Sequence, residues 1–288
     1  MKIIERIAEM KAWSLARRRE GRTIGFVPTM GYLHEGHLSL VRLALETADT
    51  AVMSIFVNPT QFGPTEDFAR YPRDLERDAA LAESVGVDVI FHPTPAEMYP
   101  AGFETTIRVP RTAGPLCGVS RPDHFAGVAT VCCKLFNIVQ PHLAVFGEKD
   151  YQQLLVIRRL VADLDLNLEI VPGPTFREPD GLAMSSRNKY LSPEERARAV
   201  VLHQSLNQAE EWVNNPETNR DSLLRSVRAR IENTPPARVD YIELRRLPDL
   251  ADAAEHPQGD HLLALAVFFG KTRLIDNRVL HFAAEGKE

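Results

Sequence analysis

The chain has 288 residues, enough for one large domain or two modest ones. Hydrophobic residues make up 44% and charged residues 25%, ordinary values for a soluble globular protein. A formal charge of −5, with no long basic run, argues against nucleic acid as the main partner but leaves room for a locally basic pocket. Cys117, Cys132 and Cys133 give neither a disulfide framework nor the Cys-x-x-Cys spacing of a zinc site, so a reducing compartment fits. With no secretory signal and no apolar run of membrane-spanning length, no membrane role is expected and cytoplasm is the default.

Met1 to Arg19 has the pattern of a charged amphipathic helix. Ile24, Phe26 and Val27 predict a strand that Pro28 stops. Gly31 centres a turn, and Leu38, Val41 and Leu45 then recur at helical spacing. Ala51 to Val57 reads as a strand buried on both faces, ending in the polar loop Asn58 to Pro64. Asp67 to Val85 is helical in pattern, Val87 to Phe91 a strand, Pro93 to Gly102 a proline-broken stretch, and Thr105 to Val109 a short strand. Phe125 to Val139 predicts a helix with Val128, Val131, Leu135 and Val139 on one face. Leu143 to Phe146 is a strand, a helix runs on to about Leu164, and Leu168 to Val171 closes the series.

Strands alternating with helices imply an α/β fold, a Rossmann-like doubly wound parallel sheet over residues 1–175. After Pro172 the character changes. Ser192-Pro193-Glu194-Glu195 contains every part of a helix start with a capping box. Two amphipathic helices to about Asn233 follow, then strands at Val239 to Leu244, Leu262 to Phe269 and Arg273 to Asp276, with a turn at Gly270-Lys271. Residues 176–288 thus form a smaller α+β C-terminal domain, whose last residues from Ala283 look frayed.

Ligands of open parallel sheets sit at the C-terminal ends of the strands. Three polar loops fall there: Thr29 to His37, Asn58 to Gly63 and Gly147 to Gln153. In the first, His34 and His37 lie three residues apart at a helix start, where free N–H groups and the helix dipole suit a phosphate. Gly31 and Gly36 let a ligand approach the backbone. The competing readings are two capping or surface histidines, or a zinc site. His-Glu-Gly-His lacks the His-Glu-x-x-His spacing of metalloproteases and a third ligand close by in sequence.

No Walker A motif and no Gly-x-Gly-x-x-Gly occurs. Lys149, at a strand end and helix start, suits a phosphate, and Gln153 lies one helical turn on; a lone lysine is otherwise a solvated surface group. Ser185-Ser186-Arg187 offers two hydroxyls and a guanidinium on a flexible loop, and read alone is an ordinary linker. Cys132-Cys133 reads as core, and Phe62, Phe68 and Tyr71 read as packing.

Taken in order, the motifs resemble the pantothenate synthetase (pantoate–β-alanine ligase) family over nearly the whole chain. They are Val27 to Gly31, Leu33 to His37, Ser54 to Pro59, Gln61-Phe62, Arg121-Pro122 with His124-Phe125, Phe146 to Gln153, Asp180 to Asn188 and Arg273 to Asn277. That family belongs to the nucleotidyltransferases with a His-x-Gly-His turn, here His34 to His37. Class I aminoacyl-tRNA synthetases share the turn, and Met184 to Arg187 is similar to their mobile Lys-Met-Ser-Lys-Ser loop. The resemblance implies ATP-dependent ligation of pantoate and β-alanine through a pantoyl adenylate, with Mg²⁺ accompanying the ATP, in a homodimer. The alternative is a related nucleotidyltransferase or adenylate-forming ligase acting on another small acid. A catalytically dead binding or scaffold protein is a third reading, against which intact His37, Lys149 and Arg187 count.

Residue by residue, the resemblance implies that Met30, Gly31, Tyr32, Leu33, His34, Glu35, Gly36 and His37 hold ATP. Gly147, Glu148, Lys149, Asp150, Phe176, Met184, Ser185, Ser186 and Arg187 complete that site. His37, His34, Lys149 and Arg187 are the expected catalytic residues, with His37 in the position usually assigned as proton donor. Gln61 and Gln153 are expected on pantoate, Gln61 also near β-alanine, and Asn58 is expected to help order the phosphates. No metal ligand is identified, although Asp78 matches an acidic position sometimes placed near the metal. Thr60, Cys117 and Phe176 depart from the residues common in the family, Thr60 standing where Met is usual.

Overall fold

In the computed structural model, residues 1–63, 66, 68–215 and 217–283 are described. The frayed end expected beyond Ala283, Pro64 of the polar loop and the Asp67 start of an expected helix lie outside them.

Among the described residues, nine strands and eight longer helices divide between two compact units, Met1–Pro174 and Thr175–Glu288. The first contains β1 (Lys2–Ile4), α1 (Ile7–Arg19), β2 (Ile24–Thr29), α2 (Glu35–Leu45), β3 (Thr50–Ile55), α3 (Leu75–Ser84) and β4 (Val89–Phe91). It continues with α4 (His124–Val139), β5 (Leu143–Gly147), α5 (Tyr151–Asp163) and β6 (Glu169–Gly173). The strands form one parallel sheet, ordered β1-β4-β3-β2-β5-β6.

Alternation along β2 shows how the layers form. Ile24 and Phe26 point into a core built with α1, α4 and α5, whereas Val27 points into a second core with α2 and α3. All six residues of β3 are buried, as a strand covered on both faces requires. Each such aliphatic or aromatic side chain contributes roughly 1.5–3 kcal/mol by leaving water. Gly25 brings α2 close, since a Cβ there would stand 3.1 Å from the Cβ atoms of Ala44 and Ala48.

Several expectations are corrected. Pro28 does not stop β2, which runs to Thr29. Beyond Phe26, β2 pairs with β3 alone, so a residue without an N–H fits on the open side. The first three residues after Met1 make a parallel edge strand, not the start of a helix. Thr105 to Val109 is no strand: the Ile107 N–H donates to Thr130 Oγ1 at 2.9 Å, and Pro110 opens a short helix. The helix expected up to Val85 starts only at Leu75, behind Pro72, with Asp74 capping it. And α4 is buried on nearly every side, beyond the single face its spacing suggested.

The second unit holds α6 (Pro193–Ala199), α7 (Val201–Trp212), α8 (Arg220–Glu232) and strands β7 (Ala237–Arg246), β8 (Gly259–Phe269) and β9 (Thr272–Phe282). The strands form an antiparallel sheet ordered β7-β8-β9, and one of its faces packs on the helices. Three helices stand where two were expected, because the helical run is interrupted at Val200. The capping box is present: Ser192 Oγ accepts the Glu195 N–H at 3.2 Å, and Glu195 Oε2 accepts the Ser192 N–H at 2.8 Å. Among the described residues no helix is long and apolar enough to cross a membrane.

Candidate active site

The chain leaves β2 for β3 and β4 on one side, then crosses back to β5 on the other. The loops after β2 and β5 therefore open a crevice at the carboxyl ends of the strands, where sheets of this kind take their ligands.

The β2–α2 turn is built by contacts on every side. Thr29 Oγ1 donates to Ser54 O at 2.7 Å and accepts the Gly31 N–H at 3.2 Å. Gly31 has φ 82° and Tyr32 φ 52°. A Cβ on Gly31 would lie 2.9 Å from Ile55 Cγ2 and 3.0 Å from Asp78 Oδ2, so glycine is required there. The Tyr32 and Leu33 N–H groups donate to Asp78 at 2.6 and 2.7 Å. The backbone N–H groups of Tyr32 and Leu33 are thus used within the protein.

His34 caps α2, and His37 sits in its first turn. Their ring centroids are 4.0 Å apart. His37 Nδ1 accepts the His34 backbone N–H at 3.3 Å, so a neutral His37 carries its proton on Nε2. Burial, reinforced by His34 and by Lys149 nearby, holds the His37 imidazole well below its ordinary value. His37 is therefore a neutral donor near pH 7. Glu35 pairs with Arg42 further along α2.

Gly147 ends β5, and Glu148–Asp150 form a short 3₁₀ turn leading into α5. Lys149 Nζ lies 3.8 Å from Asp150 Oδ2, with its side chain mostly buried. Gln153 is half-buried in the first turn of α5. Its neighbour Gln152 does structural work. It donates to the Thr112 and Pro115 carbonyls and accepts the Cys117 N–H, fixing the 112–117 loop.

The loop after β3 brings Gln61 to the turn: Gln61 Nε2 lies 3.3 Å from Met30 Sδ. Asn58 is 1% exposed and saturated by protein partners. Its Nδ2 donates to Gln61 Oε1 at 3.1 Å and to Gly127 O at 3.2 Å, while its Oδ1 accepts from Tyr99 and Thr60. These bonds tie the Asn58 side chain to Gln61 and to α4, so any help it gives in ordering phosphates, as the resemblance implied, would pass through Gln61. On the other side, His124 Nδ1 donates to Gln61 O at 2.9 Å. Gly127 packs so closely that a Cβ would reach 2.5 Å from Thr60 O. Arg121 adds a two-pronged pair with Glu66.

Phe176 and Met184 to Arg187 belong to the second unit. The stretch leading to Ser185-Ser186-Arg187 is crossed by hydrogen bonds and ion pairs. Arg177 forms a bidentate pair with Asp276 at 2.7 and 2.9 Å and bonds Gly181 O. Met184 N–H donates to Phe176 O at 3.0 Å, and Arg196 holds both Glu178 and Asp180. Phe176 is exposed, and Ser185 caps the 3₁₀ turn Ser186–Tyr190.

The structural roles of Asp78, Tyr99, Gln152 and the Arg177–Asp276 pair do not emerge from the sequence. Asp78 leaves one signal: an acidic residue between Leu75 and Ala82 on the buried stripe of α3. The others act across gaps of tens of residues, for which a single sequence holds no pattern.

Against known proteins, a family profile described as pantoate-beta-alanine ligase matches residues 2–279. The pantothenate synthetase of Syntrophus aciditrophicus is 55% identical over 279 residues, covering 97% of both chains. That of Pelotomaculum thermopropionicum is 56% identical over 280 residues, covering 97% of this chain and 99% of its own. A crystal structure of the Thermus thermophilus enzyme superposes with a TM-score of 0.90 at 48% identity, covering 96% of this chain and 99% of that one. The pantoate-beta-alanine ligase of Francisella tularensis, complexed with beta-gamma ATP and beta-alanine, superposes with a TM-score of 0.78 at 36% identity and 97% coverage of both.

Proposed function

The chain belongs to the pantoate–β-alanine ligase family, and from that premise we propose that it makes pantothenate in two steps through a pantoyl adenylate. In the first, a pantoate carboxylate oxygen bonds to the α-phosphorus of ATP as the bond to pyrophosphate breaks. In the second, the β-alanine amine bonds to the acyl carbon, AMP leaves with the acyl oxygen, and the nitrogen gives up a proton. The single observation that carries the ATP assignment is the turn bearing His34 and His37, at the sheet's switch point together with the Lys149 loop.

His37 Nε2–H, His34 and Lys149 stabilise charge on the phosphates as phosphorus becomes pentavalent. Gln61 and Gln153 align pantoate, Gln61 also serving β-alanine, and Asn58 holds Gln61 in place. Met30 to Gly36, Gly147 to Asp150, Phe176 and Met184 to Arg187 complete the ATP contacts in this reading. Arg187 adds a cation to the phosphates, and exclusion of water protects the labile adenylate.

Magnesium enters as part of the MgATP substrate. Among the described residues no group of three or more His, Cys, Asp or Glu is placed to hold a metal. Mg²⁺ held largely by substrate phosphates and water suits that arrangement. A homodimer in the cytoplasm completes the proposal.

The test is pantoate-dependent exchange of labelled pyrophosphate into ATP with Mg²⁺, followed by AMP release on adding β-alanine. Exchange that ignores pantoate, or responds better to another acid in a substrate panel, overturns the proposal.

A further inference from the structure

Asp78 reaches from α3 against the turn that carries both histidines. Its carboxylate is 1% exposed, and each oxygen takes a backbone donor: Oδ2 the Tyr32 N–H at 2.6 Å, Oδ1 the Leu33 N–H at 2.7 Å. Arg77 Nη1 stands 3.4 Å from Oδ1 and lays its guanidinium 5.1 Å from the centre of the Tyr32 ring. The clamped peptides are those the backbone would leave most readily. Gly31 and Tyr32 both have positive φ, and Tyr32 is not a glycine.

From this clamp a short relay leads to the histidines. Leu33 is fully buried, and His34 follows it directly as the cap of α2. The His34 N–H donates to His37 Nδ1, which sets the proton of the neutral ring on Nε2. Loss of the carboxylate would leave two buried N–H groups unpaired and release the turn to relax. A carboxylate beside a polyanion's site opposes binding, so its presence there calls for work done on the backbone.

We infer that Asp78 is a positioning residue for adenylate formation: it holds the Tyr32 and Leu33 peptides so that the His34 and His37 rings meet the nucleotide phosphates. In this role it acts through the backbone of the turn. The inference rests on the assignment of that turn to ATP.

The experiment is Asp78→Asn in the full-length protein, alone and combined with His37→Ala. The amide keeps the shape but sets an N–H against a backbone donor. Pantoate-dependent exchange should lose about 10–100-fold in kcat/KM for ATP, the scale of a small misplacement of a reacting group. KM for β-alanine should stay within about threefold, and in the His37→Ala background the further loss should also fall below about threefold, because the residues act as one unit. Equal losses in both backgrounds would mark a loss of folded protein and overturn the inference. So would wild-type rates, or a deficit cured by raised Mg²⁺, which marks a metal ligand.

Should Asp78→Asn fail to fold, Asp78→Glu keeps both carboxylate acceptors on a longer arm and must give a folded protein with the same ATP-selective loss. ¹⁵N NMR of the histidine rings, without substrate, reads the His37 tautomer directly. It should show Nε2–H in the wild type and a shifted signature in Asp78→Asn. Wild-type protein inactive in exchange would sink the ATP reading, while an unchanged ring signature would sink the role of Asp78.

Discussion

His37 is a buried imidazole whose charge depends on what lies beside it. In the free protein, burial, His34 and Lys149 all disfavour the imidazolium. In the proposed site a triphosphate would bring negative charge to the same place and favour it. Because the depressed value rises on binding, ATP should be bound with uptake of a proton. Its affinity should then increase as pH falls below the ordinary histidine value of about 6.5. Calorimetric titration with ATP in two buffers of different ionisation enthalpy should reveal that uptake, and His37→Ala should abolish it. His37→Ala and Lys149→Ala should each lower exchange by about 10²–10³, the usual loss for one charge-stabilising donor. A buffer-independent enthalpy, or near-wild-type exchange in either variant, contradicts these roles. The two histidines are legible in the sequence because a strand, a Gly turn and a helix start are local. The protonation of His37 is not, since it depends first on burial and then on His34 and on Lys149, which is far away in the chain.

At the scale of elements, strands and helices with long periodic patterns are readable, and the errors are instructive. Pro28 reads as a terminator because a single sequence does not show that β2 loses its β5 partner after Phe26. β1 is three residues long and takes its order from pairing with β4, so no periodicity announces it. Ser185-Ser186-Arg187 read alone looks like a linker, and no local pattern shows that Arg177, shortly before it, is held by Asp276, 99 residues on. Asp276 is 1% exposed and the Arg177 side chain 19%. Arg177→Ala would leave a buried carboxylate without its partner and open the Gly181 carbonyl. It should destabilise the protein by about 3 kcal/mol, the low end for breaking a buried pair, given that Arg177 is partly solvated. Urea denaturation checks this. A midpoint unchanged from wild type would mean that the segment around Arg177 stands without the pair.

For the whole molecule, each unit carries its own hydrophobic core. The first unit's two cores are made of residues before Pro174, and the second unit's core of residues after Thr175. A chain of that first length buries roughly 70% of the surface it exposes when unfolded, enough for independent stability. A fragment ending at Pro174 should therefore fold, with one cooperative thermal transition. It retains His34, His37, Gln61, Lys149 and Gln153 but lacks Phe176 and Met184 to Arg187. If those later residues serve ATP as proposed, the fragment should be folded yet at least about 10²-fold slower in pantoate-dependent exchange, the scale of losing one charge-stabilising group. Arg187→Ala in the full-length chain should reproduce most of that loss. A folded fragment with full exchange would confine the adenylation machinery to the parallel sheet and remove Arg187 from it. A fragment that fails to fold would instead show that the first unit's cores are not sufficient, and the Arg187→Ala variant would then decide the question alone.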